Sequence, residues 1–508
     1  MKTHKKIMNY INRHFYVFKV IFVGLMISQV LSTIGVYKSN TELLERVEAI
    51  IYAGYLAVPN SYVMDSLGTF TSAFLGGLFF TLTVGICLTF LSFGAVWAWD
   101  RIFFRNSCFF LCFMIAWLWC VCEINSQGFS KIPSAFFLLI PVIVASLTRL
   151  WLPDPPEKMP LKLMVHFISL MILMVIGAKS NLMNDQIFLK TRDNLLLSNP
   201  VGIKLNDFYY KYTLYAARLF KSQNQKLIKT CSLALIDDMA LRERIEKILL
   251  NHDYLILERG EPTDLDIIKI RGRLIFKIQV WTILETTPGE FLRSPREILK
   301  MFSERSDKYV FFRKFTFLSL LLVPSVTLYV GIYVVFRILS GFFMKPASAS
   351  VLAGIFCFII GLSLLLSLRF DTEEYIETTE LADYLESDNW HRRVAALKTI
   401  RKRRIDISKF PSYTKIMESP HIPERYWLAR AMGGSRSPKV YYDILKLLDD
   451  PNFNVVYSAF YALGQRGEKK AVGKILRRIR TSDNWYVQWY AYKALRKLRW
   501  KQRKGIEN

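Results

Sequence analysis

The chain has 508 residues, 52% of them hydrophobic, with 68 Lys and Arg against 42 Asp and Glu, a formal net charge of +26. That length leaves room for two to four domains. Its apolar residues are gathered into long blocks, which excludes an ordinary water-soluble globular chain.

Seven windows are long and apolar enough to span a bilayer as helix, which takes roughly 17–25 residues: 17–37, 72–98, 107–124, 134–151, 162–178, 315–338 and 348–368. The first, "YVFKVIFVGLMISQVLSTIGVY", is longer than a signal-peptide core and lacks a small-x-small cleavage site, so it reads as a retained signal anchor. Trp97, Trp99, Trp119 and Trp151 sit at window ends, where interfacial aromatics belong. Pro141 and Pro324 fall inside windows and are expected to kink them. Few ionisable groups are expected to be buried in the windows: His166 is one, and Glu123 lies near a window end, fewer than a transport path or proton relay usually needs.

Cys87, Cys108, Cys112, Cys120, Cys122 and Cys357 lie in windows, and Cys231 alone lies in a polar region, so no internal disulfide can form in the polar regions. Cys108/Cys112 and Cys120/Cys122 have no accompanying His and read as small apolar residues; no metal or other cofactor is expected.

With the N-terminus in the cytoplasm, the short inner segments carry 12 Lys and Arg and the short outer loops 38–70 and 125–133 carry 3. That bias sets the orientation. Parity then places 179–314 and 371–508 outside the cytoplasm, in the periplasm of a bacterial inner membrane. The acidic run Asp371, Glu373, Glu374, Glu377 and Glu380 agrees; Arg313, Lys314 and the basic C-terminus point the other way.

Region 179–314 has 24 Lys and Arg against 17 Asp and Glu. An Asn199-Pro200-Val201-Gly202 turn precedes a helix from about 206 to 220, on which Phe208, Tyr212, Tyr215 and Leu219 share a face, either turned to a core or held for a membrane surface or partner. A further helix ends near Leu250, with Asp237-Asp238 at its start as cap and dipole partner. Two β-like runs follow, "DYLILERG" and "LDIIKIRGRLIFKIQVWTIL", with "RGEPTD" as the turn between them. This is a small α+β domain with no nucleophile elbow, phosphate loop or His-rich ligand set.

The last quarter repeats itself. "SDNW" occurs at Ser387 and again at Ser482, and the segments 386–400, 418–432, 449–463 and 481–495 align at offsets of 32, 31 and 32. Each opens with a polar or Pro-containing turn, then an apolar fifth residue (Trp390, Ile422, Phe453, Trp485), then small or apolar residues along one helix face. A second helix follows in each unit, which is the mark of an α-solenoid. Asp450, Pro451, Val455, Ala459, Ala462, Leu463 and Gly464 resemble the D-P…V…A-x-x-A-L-G helix of HEAT repeats, of the short kind found in phycobilisome-lyase-like proteins. The resemblance covers about 380–500 and implies a stacking fold; the lyase activity of some relatives is not implied, because the matching residues are stacking residues.

The expected organisation is therefore mainly α: a polytopic α-helical membrane protein of about seven spans, divided into 1–178, an α+β domain at 179–314, two spans in 315–370 and the HEAT-like solenoid at 371–508. Region 371–508 carries 28 Lys and Arg against 17 Asp and Glu. Its basic runs supply the candidate partner-binding residues: Arg401, Lys402, Arg403 and Arg404; Arg477, Arg478 and Arg480; Arg496 and Lys497. The alternatives for this charge are a solvated outer face, an acidic protein partner or anionic lipid headgroups; nucleic acid has only the charge in its favour. The sequence reads as a membrane-anchored scaffold or assembly factor that holds a protein partner. A transporter or export component with a regulatory solenoid is the alternative, and no catalytic residue stands out. Neither partner nor oligomeric state can be read from these residues.

Overall fold

A computed structural model describes residues 2–152, 172–173, 189–190, 192–370 and 376–505. The chain is mainly helical, with one five-stranded sheet. It divides into two compact units: one of Met1–Gly35, Gly77–Arg192 and Lys308–Thr372, the other of Val36–Gly76, Asp193–Asp307 and Glu373–Asn508.

Helices Tyr16–Tyr52, Phe70–Arg101, Ser107–Asn125, Lys131–Trp151 and Val310–Gly341 are long and apolar enough to cross a membrane, and they coincide with five of the expected windows. The seventh window falls on helix Pro346–Phe370, which has a shorter apolar stretch over Ser348–Ser363. Window 162–178, with His166, lies outside the described residues except for 172–173. Glu123 is exposed near the end of helix Ser107–Asn125.

The first helix, Lys2–Tyr52, is inside-out by the standards of a protein in water. Phe18, Phe22, Met26, Val30 and Ile34 recur every four residues and are 50–63% exposed, while Val20, Gly24, Ser28 and Ser32 on the other side are buried. Small residues let helices approach closely where lipid gives no hydrophobic drive for association. Gly85 illustrates it: a Cβ there would lie 1.9 Å from Ser28 Oγ. The polar side chains at this contact satisfy one another, with Thr81 donating to Gln29 Oε1 at 2.8 Å and Gln29 Nε2 donating to Thr33 at 3.2 Å. A π-helical turn over Thr81–Gly85 interrupts helix Phe70–Arg101 at this point.

In the second unit the sheet runs β2-β1-β3-β4-β5. Strand β1 (Lys229–Ser232) pairs in parallel with β2 (Tyr254–Leu257) and β3 (Leu265–Ile270), and β3, β4 (Arg273–Ile278) and β5 (Trp281–Thr286) form an antiparallel meander. The second β-like run is thus three strands. Arg271-Gly272, both at positive φ, turn it between β3 and β4, and Gln279-Val280 turn it again. Helix Met239–Asn251 connects β1 to β2 and is capped by Asp238, whose carboxylate accepts from Leu241 N at 3.0 Å.

Because side chains alternate along a strand, β2 is buried on both sides. Tyr254 and Ile256 join Ile245, Leu249, Phe276, Phe291 and Phe302 in one core. Leu255 and Leu257 join Val47, Ile50, Tyr55 and Met64, so the extension of the first helix to Tyr52 covers the opposite face. A buried carboxylate ties that helix down: Asp264 accepts from Lys226 Nζ at 2.6 Å and Thr230 N at 3.1 Å and faces Arg46 at 3.5 Å.

The aromatic stripe after Asn199-Pro200 is only partly continuous, because a π-helical turn over Tyr209–Thr213 shifts its register. Tyr215 is buried against Trp485, and the Tyr210 ring lies against Phe453 and Tyr486. Of the stripe, Tyr215 faces the interior of this unit, while Phe208 and Tyr212 are half-buried.

Candidate functional site

The repeated segments become a stack of helices: Trp390–Arg403, Ile422–Met432, Phe453–Arg466 and Trp485–Lys497, each packed on the next. Shorter partners follow at Tyr413–Ile416, Pro438–Lys446 and Val472–Thr481. The fifth residue of every segment is the first residue of its helix. The turn before it is the same each time: Ser387, Ser419, Asp450 and Ser482 accept, through their side chains, the N–H two residues on. Asn389, Asn452 and Asn484 then cap the helices that follow. "SDNW" is that turn spelled twice.

Adjacent repeats are fastened by charge. Arg393 reaches back to the Ser387 carbonyl and forward to Glu424, with Nη2 to Oε2 at 3.1 Å. Arg425, one repeat on, reaches the Ser419 carbonyl and pairs with Asp450 at 2.7 Å. In the last repeat the equivalent residue is Gln488. Its Nε2 donates to the Ser482 carbonyl at 2.6 Å, and its Oε1 accepts from Asn60 N at 2.9 Å. Asn60 Nδ2 also donates to the carbonyls of Ile479 and Arg480, at 3.0 and 3.1 Å.

Close helix approach depends on glycine at equivalent positions. A Cβ on Gly433 would lie 3.2 Å from Ala462 Cα, and one on Gly464 3.1 Å from Ala494 Cα. Replacing Gly464 with valine should therefore cost about 2 kcal/mol through overpacking, read as a lower thermal midpoint of the purified full-length protein.

The array is also welded to the rest of its unit. Trp427 Nε1 donates to the buried Asp193 carboxylate at 2.7 Å, and Trp485 Nε1 to the Tyr210 carbonyl at 2.8 Å. Tyr492 donates to Asp253 at 2.8 Å.

The candidate residues from the basic runs land in different settings. Arg496 is an internal partner, 2.8 Å from Asp253 and donating to the Asn251 carbonyl. Arg478 donates to the Leu448 carbonyl at 2.9 Å, and Arg480 is half-buried. Lys402, Arg403, Arg404 and Arg477 are exposed, with Arg403 donating to Thr378 and Arg404 closing its helix at φ 56°. Arg401 and Lys497 meet over one ring, that of Tyr461, at 5.9 and 4.4 Å.

Charge runs did not single out the third cation at that ring, Arg430, stacked 4.0 Å from its centroid. The repeat alignment does: at offsets of 32, 31 and 32, Lys398, Arg430, Tyr461 and Lys493 are the same position in the four units. Trp427 and Tyr490 form a neighbouring column, with Lys398 5.1 Å from the Trp427 ring and Lys493 5.8 Å from that of Tyr490. The result is a strip of cations bedded on aromatic rings, an arrangement suited to binding anions beside flat apolar surface. Burial pushes the Tyr461 phenol up, but hydrogen bonds from Arg401 and Gln465 and the charges of Arg401 and Arg430 outweigh it and hold the group below its ordinary value.

Residues 410–496 match a family described as HEAT repeats. The array is a HEAT solenoid. No curated protein and no solved structure matches the chain. HEAT solenoids commonly mediate protein–protein interaction.

A second concavity, of about 560 Å³, opens between the sheet and the first helix. Glu42, Glu45, Arg259, Glu261 and Lys277 line it, and neither His nor Cys does. Its charges are of both signs, and in its lining the Thr263 hydroxyl donates to Asp266 at 2.6 Å.

Proposed function

We propose that this protein is a membrane-anchored scaffold whose HEAT solenoid holds a protein partner outside the cytoplasm of a bacterial cell. The observation that carries the reading is the composition of the second unit. Its three segments, Val36–Gly76, Asp193–Asp307 and Glu373–Asn508, fold as one body and correspond to segments that the charge bias assigns to the outer side.

Segments packed together must lie on the same side of a membrane, so the chain between them crosses an even number of times. Helices Val310–Gly341 and Pro346–Phe370 supply two crossings for the later interval. The earlier interval holds Phe70–Arg101, Ser107–Asn125 and Lys131–Trp151. An even count there needs one more crossing than these three; the expected window 162–178 lies outside the described residues except for 172–173. The greasy outer stripe of the first helix supports membrane burial independently, since an apolar face of that extent is not left to water.

The solenoid is fused to its unit through Trp427, Trp485 and Asn60, so deleting it would expose the core and confuse loss of binding with loss of fold. A photo-reactive residue placed singly at exposed Arg477, or at Lys300 on the sheet domain, avoids that. The expected result, in intact membranes, is a discrete adduct from the solenoid position and none from Lys300. Equal labelling from both, or none from either, would remove the scaffold reading. Cysteine labelling at the C-terminus with a membrane-impermeant reagent should succeed in intact spheroplasts; labelling only after lysis would reverse the orientation.

A further inference from the structure

The strip around Tyr461 specifies what kind of partner the solenoid takes. Arg401, Arg430, Tyr461 and Lys497 come from four successive stacked helices and converge on one half-buried ring. Among the described residues no ion pair engages Arg401, Arg430 or Lys497, although the repeats spend arginines freely on internal pairs elsewhere. Arg430 donates through Nη2 to Tyr426, and its buried Nε has no acceptor. The cations are thus oriented by aromatic contacts and keep donors unspent.

At the position of Arg430, the first and last repeats carry Lys398 and Lys493, and Lys398 is paired with Asp193 at 3.9 Å. The cations that meet at the Tyr461 ring form one cluster of three.

We propose that this cluster receives an acidic segment of a protein partner, whose carboxylates pair with Arg401, Arg430 and Lys497 around the Tyr461 ring. The proposal rests on the scaffold reading and gives its partner a chemistry.

The test uses the purified full-length protein in non-ionic detergent and a fluorescein-labelled peptide of Glu-Ser-Ala triplets, with its Gln-Ser-Ala counterpart as control, followed by fluorescence anisotropy. The Glu peptide is expected to bind, the Gln peptide to bind at least tenfold more weakly, and added salt to weaken the complex. The double variant R401Q/K497Q should lose about tenfold in affinity; both side chains are exposed, so its thermal midpoint should match the parent's. R430Q should lose a similar amount, and R430K should recover part of it.

Equal binding of the two peptides, or of parent and double variant, would overturn the proposal. So would competition by soluble short-chain phosphatidylglycerol in the absence of Glu-peptide binding, which would give the cations to lipid headgroups. The photo-adduct at position 477 separates the two readings. An adduct that persists in R401Q/K497Q while the peptide fails keeps the scaffold and removes the acidic strip. Loss of the adduct in parent and variant alike removes both.

Discussion

Replacing Trp485 with alanine should destabilise the second unit by about 4 kcal/mol, the range of large-to-small changes at a buried aromatic. The indole is 4% exposed and closes a cluster with Val63, Leu67 and Tyr215. Its edge meets the Tyr215 ring with centroids 5.5 Å apart, and its N–H donates to the Tyr210 carbonyl at 2.8 Å. Alanine removes all of this at once. Phenylalanine keeps most of the apolar volume and strands only the carbonyl, so W485F should cost about 1–2 kcal/mol. Urea-dependent pulse proteolysis of the full-length protein reads both. Indifference to W485A would mean that the solenoid, the short helix Ser61–Leu67 and the segment around Tyr210 are not held as one body.

Asp264→Asn should cost about 3 kcal/mol at neutral pH, because it removes the charge that balances Lys226 and Arg46 in a buried site. Burial pushes the Asp264 carboxyl up, but the ammonium of Lys226 and the guanidinium of Arg46, with hydrogen bonds from Lys226 and Thr230 N, outweigh it and bring the group to about 2. A carboxylate depressed on folding binds its proton more readily in the unfolded chain. Its stabilisation is therefore complete above the unfolded value near 4 and is lost as pH falls toward about 2. The shift corresponds to about 2 kcal/mol. Unfolding followed between pH 5 and pH 2 should show that loss in the parent, and D264N should flatten it. A parallel slope in D264N would assign the acid sensitivity to other carboxylates.

Periodicity and hydropathy made the helices legible. The long apolar windows needed no tertiary information, and the 32-residue offset placed the first residue of each stacked helix, because Ser/Asp and Asn before Trp390, Phe453 and Trp485 encode the turn locally. The sheet was harder. Strand β1, Lys229–Ser232, has the sequence KTCS, whose strand character comes from lying between β2 and β3 rather than from its own residues. The single run read over 265–284 became three strands because a two-residue turn at Arg271-Gly272 hides easily among apolar neighbours.

The basic runs mix exposed side chains with structural ones. Runs of Lys and Arg directed attention to Arg496 and Arg478, which the fold uses internally against Asp253 and Leu448. The column containing Arg430 was visible only by comparing repeats with one another. Nothing local could reveal the anchors Asp193, Asp253 and Asp264, whose partners Trp427, Arg496 and Arg46 lie hundreds of residues away in chain order.

Gln488 stands where the first two repeats carry the arginine that grips their successor, and its amide is instead spent on Asn60. The last stacked helix is thereby tied to the segment that leads into helix Ser61–Leu67, so a change at Asn60 acts on the solenoid from outside its own repeats.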